Sequence, residues 1–339
     1  MIPIQSSIFI FLLGCQADTE KTFDEPTRGM LCPSQDIGTP ENLDREDLYQ
    51  FSYDNLNVVE KWFYETRIDL SSSAPEFIEF ANKSMLFIDR SMGQSAGIAS
   101  YETTTGLDWQ GGQIVVENPL DGHHSHPFGA TDPQGRMVLF MQTKTNETLT
   151  INRSVSVDGR FFEPVTGPNL CAQTGGNNCD HGRILQLEDD CYLMALNTEI
   201  HPQYWSLDSS YLPGTILGYS SDLDTWTFGD TYFRGCHDPT FDQTPDGISI
   251  YCHSELTNGL LRFDSTDGYD FDPLSPAGHV EFYDRSGVLL ADRIAERTLQ
   301  ISDPDKHFFS SGAIRFYLSV TENLQEEGNN FPTIFSFIP

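Results

Sequence analysis

Apolar residues along this chain come in short runs broken by turn signals, and the runs recur with a fixed rhythm. Pro127 is followed eight residues later by Gly135 and then by Met137-Val138-Leu139-Phe140; Pro239 leads in the same way to Gly247 and Ile248-Ser249-Ile250-Tyr251. The spacing repeats from Pro75 to Lys83 and Met85-Leu86-Phe87-Ile88, from Gly182 to Asp190 and Tyr192-Leu193-Met194, and from Thr298 to Lys306 and Phe308-Phe309. Runs this short, bounded by turn residues, predict strands joined by hairpins. Five units follow, starting near residues 74, 126, 181, 238 and 297.

A second motif lies between these units. Thr103, Ser156, Ser220 and Ser265 each precede an aromatic by six residues (Trp109, Phe162, Trp226 and Phe271), with Gly-Leu-Asp, Val-Asp-Gly, Asp-Leu-Asp or Thr-Asp-Gly between them. Asp and Gly there predict a tight hairpin, and the aromatic is placed to pack between sheets. The fifth unit lacks this hairpin and ends in Pro332-Thr333-Ile334-Phe335-Ser336-Phe337-Ile338. The strand-like stretch Val58 to Glu65 can supply its missing outer strand. The reading is therefore an all-β, five-bladed β-propeller over residues 49–339, its ring closed by pairing of N-terminal and C-terminal strands.

Ahead of the repeats, Ile8-Phe9-Ile10-Phe11-Leu12-Leu13 is too short to span a bilayer and sits where the apolar core of a signal peptide belongs. It runs into Leu12-Leu13-Gly14-Cys15, which resembles the lipobox of bacterial lipoproteins. That resemblance implies a leader over residues 1–14, lipidation of Cys15, and an exported protein at the periplasmic face or cell surface. Residues 15–48, polar and rich in Pro, Gly, Asp and Glu, read as a tether. Cys32, Cys171, Cys179, Cys191, Cys236 and Cys252 would then mature under oxidising conditions, which predicts disulfides. The loop between Cys171 and Cys179 can bring that pair together, and Cys236 and Cys252 flank a hairpin.

Charge narrows the partners. Against 50 Asp and Glu stand 19 Lys and Arg, a formal charge of −31. Nucleic acid would be repelled, and the acidic surface reads as a solubility coat on a monomer whose membrane contact is the lipid anchor alone.

In a propeller the first strand of each blade lines the central channel, so the openings of the five units should share one mouth. One position before the marker stand Ala74, His126, His181, Asp238 and Arg297; two before it stand Ser73, Ser125, Asp180, His237 and Glu296. Of these, Asp180, Asp238 and Glu296 come from consecutive units, and two carboxyls can flank a glycosidic bond as general acid and base while a third tunes the acid. His126, His181, His237, Arg293 and Arg297 would contact substrate. Cys236-His237-Asp238-Pro239-Thr240-Phe241-Asp242-Gln243-Thr244-Pro245-Asp246-Gly247, and Ala295-Glu296-Arg297-Thr298 in spacing, resemble the blade openings of glycoside hydrolase family 43 and related fructan-active glycosidases. The resemblance implies an inverting hydrolase with Asp180 as base, Asp238 as modulator and Glu296 as acid. It also departs from the family, whose trio opens the first three blades, where this chain has Ala74-Pro75 and His126-Pro127.

A different chemistry uses the imidazoles. His126, His181 and His237 from three adjacent blades can converge on one cation, making a metalloenzyme centre. The channel-bound cation would be calcium on the carboxylate reading and a transition metal on the histidine reading. A non-catalytic propeller that binds glycan or protein is the third reading.

Overall fold

The computed structural model describes Cys32 and the greater part of residues 56–339; residues 1–31, 33–55, 69, 71–72, 91–95, 146–147, 168, 176–177, 188–190, 200–213, 255–258, 297–298 and 323–331 lie outside the described residues. The predicted leader, the lipidation residue Cys15, the tether apart from Cys32, and Arg297 fall in that part.

After β1 (Val58–Ile68), nearly everything is antiparallel four-stranded meander. The first comprises β2 (Ser73–Phe80), β3 (Lys83–Arg90), β4 (Gly97–Thr103) and β5 (Gln110–Glu117). The second comprises β6 (Gly122–Thr131), β7 (Met137–Thr145), β8 (Thr148–Ser156) and β9 (Glu163–Val165). After the short helix α1 (Leu170–Thr174) comes the third, with β10 (Cys179–Gln186), β11 (Tyr192–Thr198), β12 (Gly214–Ser220) and β13 (Thr227–Arg234). The fourth holds β14 (Cys236–Thr244), β15 (Gly247–Ser254), β16 (Gly259–Ser265) and β17 (Gly278–Tyr283). Helix α2 (Leu290–Ala295) leads to the last, β18 (Leu299–Phe308), β19 (Ile314–Glu322) and β20 (Thr333–Ile338).

β1 completes that fifth blade, pairing antiparallel with β20 from Phe63↔Ile338 to Ile68↔Ile334. It also pairs in parallel with β17, so the last two blades form one eight-stranded sheet. The ring is closed on the inside as well. β2, β6, β10, β14 and β18 each touch the next in that order, and β18 touches β2.

The apolar strand faces explain why the blades stack. Among the described residues the buried hydrophobic side chains gather into five clusters, one in each gap between neighbouring blades. Ile78, Phe87, Met137 and Leu139 fill the first gap, Phe140, Leu196 and Trp226 the second, and Leu217, Phe233, Ile250 and Phe263 the third. Trp62, Val280, Phe316 and Phe337 fill the fourth, and Phe77, Ile88 and Tyr317 the fifth. Burial of side chains this large, about 1.5–3 kcal/mol each, drives the assembly.

The hairpin motif has a hydrogen-bonded reason for its spacing. Ser156, Ser220 and Ser265 accept the amides of Gly159, Leu223 and Gly268 at 2.9–3.0 Å, while Asp158, Asp222 and Asp267 accept amides further round the turn. The aromatic that follows meets the preceding blade. Phe162 lies edge-on to Phe87 (5.9 Å), Trp226 to Phe140 (6.4 Å) and Phe271 to Phe233 (6.1 Å).

Disulfides join Cys32 to Cys191 and Cys236 to Cys252, with Cα atoms 5.5 and 5.4 Å apart. The second was expected across its hairpin. Cys171 and Cys179, which the intervening loop could bring together, are free, buried thiols, Cys171 on α1 and Cys179 at the start of β10.

Candidate functional site at the channel mouth

Each innermost strand makes the same irregularity near its start. Pairing slips between Ser73 and Glu76, Ser125 and Phe128, Cys179 and Gly182, His237 and Thr240, and Ser302 and Asp305. The two residues skipped are Ala74-Pro75, His126-Pro127, Asp180-His181, Asp238-Pro239 and Asp303-Pro304. In four of the five blades proline explains the position, because it has no N–H for the ladder and belongs at bulges. Ala74, His126, Asp238 and Asp303 adopt left-handed φ of 53°, 45°, 53° and 48°. That conformation turns these residues out of the ladder at a cost of about 1–3 kcal/mol each.

This register corrects two expectations. The fifth blade opens at Asp303-Pro304, with Gly312 eight residues later as in the other blades, and not at Arg297-Thr298. Glu296, assigned as the acid, is an exposed residue at the C-terminal end of α2. Arg293 lies on the same helix and reaches Asp284 and Glu322 (3.4 and 3.5 Å). In the third blade, Asp180 and His181 together form the bulge, so Asp180 shares the position of Asp238 more closely than the proline spacing implied.

His181 is the centre of the mouth. Its Nδ1 lies 3.0 Å from Asp238 Oδ1 and 3.9 Å from Asp180 Oδ1, and its Nε2 contacts Asp303 Oδ1. The His126 ring packs on it with centroids 3.7 Å apart. Gly182 makes that approach possible, since a Cβ there would stand 2.7 Å from the Phe128 ring on the neighbouring inner strand. Asp180 also accepts the His181 amide at 2.7 Å, and Ser302 donates to Asp303 at 2.8 Å. His181, Asp238 and Asp303 are buried, whereas the Asp180 side chain is 41% exposed and forms the open rim.

His237 does not join His126 and His181 as the three-histidine reading expected. Its ring meets His253 (4.9 Å between centroids) and its Nδ1 lies 3.8 Å from Asp238 Oδ2. His253 was missed in the sequence. It stands opposite His237 in the β14–β15 hairpin, a pairing that counting outward from the turn would have found.

Charge is strongly graded across the mouth. Burial alone would lower the His181 imidazole, but Asp238 and Asp303 raise it to about 10. Burial and the neighbouring His181 lower His126 to about 4, and burial with His237 lowers His253 to about 4. Burial opposes ionisation of Asp303, yet the His181 charge holds its carboxyl below the ordinary range. Burial and the Asp303 charge push Asp89 up to about 7. At neutral pH a cationic His181 is thus flanked by anionic Asp303 and the neutral imidazole of His126.

One step further along the inner strands, Arg183 ion-pairs with Glu76 and donates to the carbonyls of Pro75 (2.6 Å) and Pro304 (3.3 Å). Asp305 accepts the Phe77 amide at 2.8 Å. These buried groups tie the first, third and fifth blades together beside the site. A separate cleft of about 940 Å³, lined by Val115, Phe140, Arg153, Phe162 and Pro164, takes in none of the mouth residues.

Known structures share this architecture. A thermostable family-43 glycoside hydrolase superposes with a TM-score of 0.57 at 9% identity, over 78% of this chain and 88% of that one. It has the propeller fold of these glycosidases. The family-43 enzyme from Xanthomonas citri complexed with xylotriose gives 0.53 at 11% identity, over 78% and 86% of the two chains. The Bombyx mori family-32 β-fructofuranosidase gives 0.52 at 12% identity, over 83% and 63%. No protein-family model and no curated relative matches the sequence. Ala74 and His126 occupy the first two blades, where the family resemblance implies carboxylates.

Proposed function

We propose that this protein is a carbohydrate-recognising propeller of glycosidase architecture, with its site at the channel mouth. The observation that carries the reading is the convergence there of Asp180, Asp238, Asp303, His126, His181 and His237 on a fold seen in a xylotriose complex. Carboxylates and imidazoles held by their neighbours make fixed acceptors and donors for sugar hydroxyls. Binding is favoured over two-carboxylate hydrolysis because Asp238 and Asp303 are both engaged by His181, and Glu296 belongs to α2. A panel of neutral and acidic oligosaccharides tests this. We expect saturable binding that falls at least tenfold in Asp180→Ala, without turnover. No binding across the panel, or binding indifferent to Asp180→Ala, removes the reading. Turnover lost in Asp180→Asn would replace it with inverting hydrolysis.

The same proposal places the protein outside the cytoplasm on a lipid attached to Cys15. The Cys32–Cys191 and Cys236–Cys252 disulfides support an oxidising compartment. Metabolic labelling with palmitate should mark the wild type and not Cys15→Ala; equal labelling, or none, would refute the anchor.

A further inference from the structure

The mouth also brings together side chains of the kinds that hold a metal ion. His126, His181 and Asp303, from three blades, each present one ligand atom, and the three atoms lie within 4.8 Å of one another. Nδ1 of His126 is buried without a hydrogen-bond partner, and the ring nitrogens of His181 meet only carboxylate oxygens, Asp238 Oδ1 at Nδ1 and Asp303 Oδ1 at Nε2. His181 and Asp303 are only 8% and 4% exposed, and leaving a buried nitrogen such as His126 Nδ1 unpaired is costly.

We propose that His126, His181 and Asp303 form a binding site for a divalent transition metal of the zinc class. Ligands at 2.0–2.1 Å in a tetrahedron stand about 3.4 Å apart, so small side-chain movements close the triad on an ion. The ion takes the place of the proton between His181 Nε2 and Asp303, which is released to solvent. Two imidazoles and one carboxylate suit zinc, copper or iron, whereas calcium takes six to eight oxygens. Outer contacts are in place too. Ser302 holds Asp303 by Oδ2, leaving Oδ1 for the metal, and Asp238 lies 3.0 Å from His181 Nδ1, where it orients the ring. Three protein ligands leave a fourth position for water or a sugar hydroxyl. A second triad, His237, Asp238 and His253, adjoins the first but is not the site proposed.

The inference shares its location with the carbohydrate reading, and its test uses no sugar. The full chain, stripped with chelator, would be titrated with Zn²⁺ and with Co²⁺ as a spectroscopic probe. One Zn²⁺ per chain is expected, undisturbed by excess Ca²⁺, with Co²⁺ absorption typical of nitrogen and oxygen ligands. His126→Gln and Asp303→Asn should each lose at least tenfold in affinity while retaining the far-UV circular dichroism of the wild type. X-ray absorption on zinc-loaded wild type should show two imidazoles, a readout that does not depend on either variant folding. Lack of saturable binding, unchanged affinity in His126→Gln, or dependence on His253 alone would overturn the assignment. So would a thiolate charge-transfer band, which would put the ion on Cys171 or Cys179. Sugar binding without metal binding would leave the carbohydrate reading standing and sink this one.

Discussion

His181 of the third blade and Asp238 of the fourth meet with Nδ1 and Oδ1 3.0 Å apart, both side chains buried. The contact ties adjacent blades at the mouth. Removing one partner of a buried ion pair costs about 3–5 kcal/mol, and Asp303 remains to compensate His181 in part. Asp238→Asn is therefore expected to cost about 2 kcal/mol, since Asn tolerates the left-handed backbone at this position. Urea unfolding at neutral pH measures it, and an unchanged midpoint would contradict the assigned role of the pair.

Gly182 decides how closely the second and third blades approach. Its added Cβ would stand 2.7 Å from the fully buried Phe128 ring, which has nowhere to move. Gly182→Ala should cost about 1–3 kcal/mol and separate His126 from His181. A variant as stable as the wild type would show that the gap is adjustable.

Ring closure depends on Glu60 of β1. It accepts from Tyr251 (2.5 Å), Trp62 (2.9 Å), Arg262 (2.9 Å) and Lys306 (3.1 Å), the last two from different blades. Burial raises the carboxyl, but the Tyr251 hydrogen bond, the Lys306 charge and the Trp62 hydrogen bond together hold it below its ordinary 4.5. A depressed carboxylate stabilises the fold fully above the unfolded value and loses that contribution as pH falls through the folded one. Glu60→Gln should cost about 3 kcal/mol near neutrality, with the gap to wild type narrowing below pH 4.5. Parallel stability curves from neutral to acid pH would exclude this account.

Leu223 occupies a left-handed turn position, φ 59°, that Gly159 and Gly268 take in the neighbouring hairpins. Its side chain is fully buried between the second and third blades. Relief of left-handed strain is worth about 1–2 kcal/mol, whereas truncating a buried leucine costs about 2–5. Packing wins, so Leu223→Gly should destabilise by about 2 kcal/mol in thermal or urea unfolding. A stabilised variant would reverse the ranking.

Most of the architecture was legible because its signals are local. Ser156, Asp158 and Gly159 build their turn from groups two or three residues apart, and Pro127 with Gly135 marks a bulge and a hairpin within one strand pair. The same locality made the fifth blade ambiguous. Thr298 to Lys306 and Pro304 to Gly312 both satisfy the eight-residue spacing, and the choice between them falls to the pairing of β18 with β19. The mouth was harder to read, because the rotation from blade to blade is set by packing in the gaps and not by adjacent residues. That rotation brings Asp303 to His181 and leaves Glu296 on α2, although both lie within a few residues of the expected opening. Turn chemistry written in neighbouring residues thus specified the blades, and the long-range stacking of those blades selected which side chains meet.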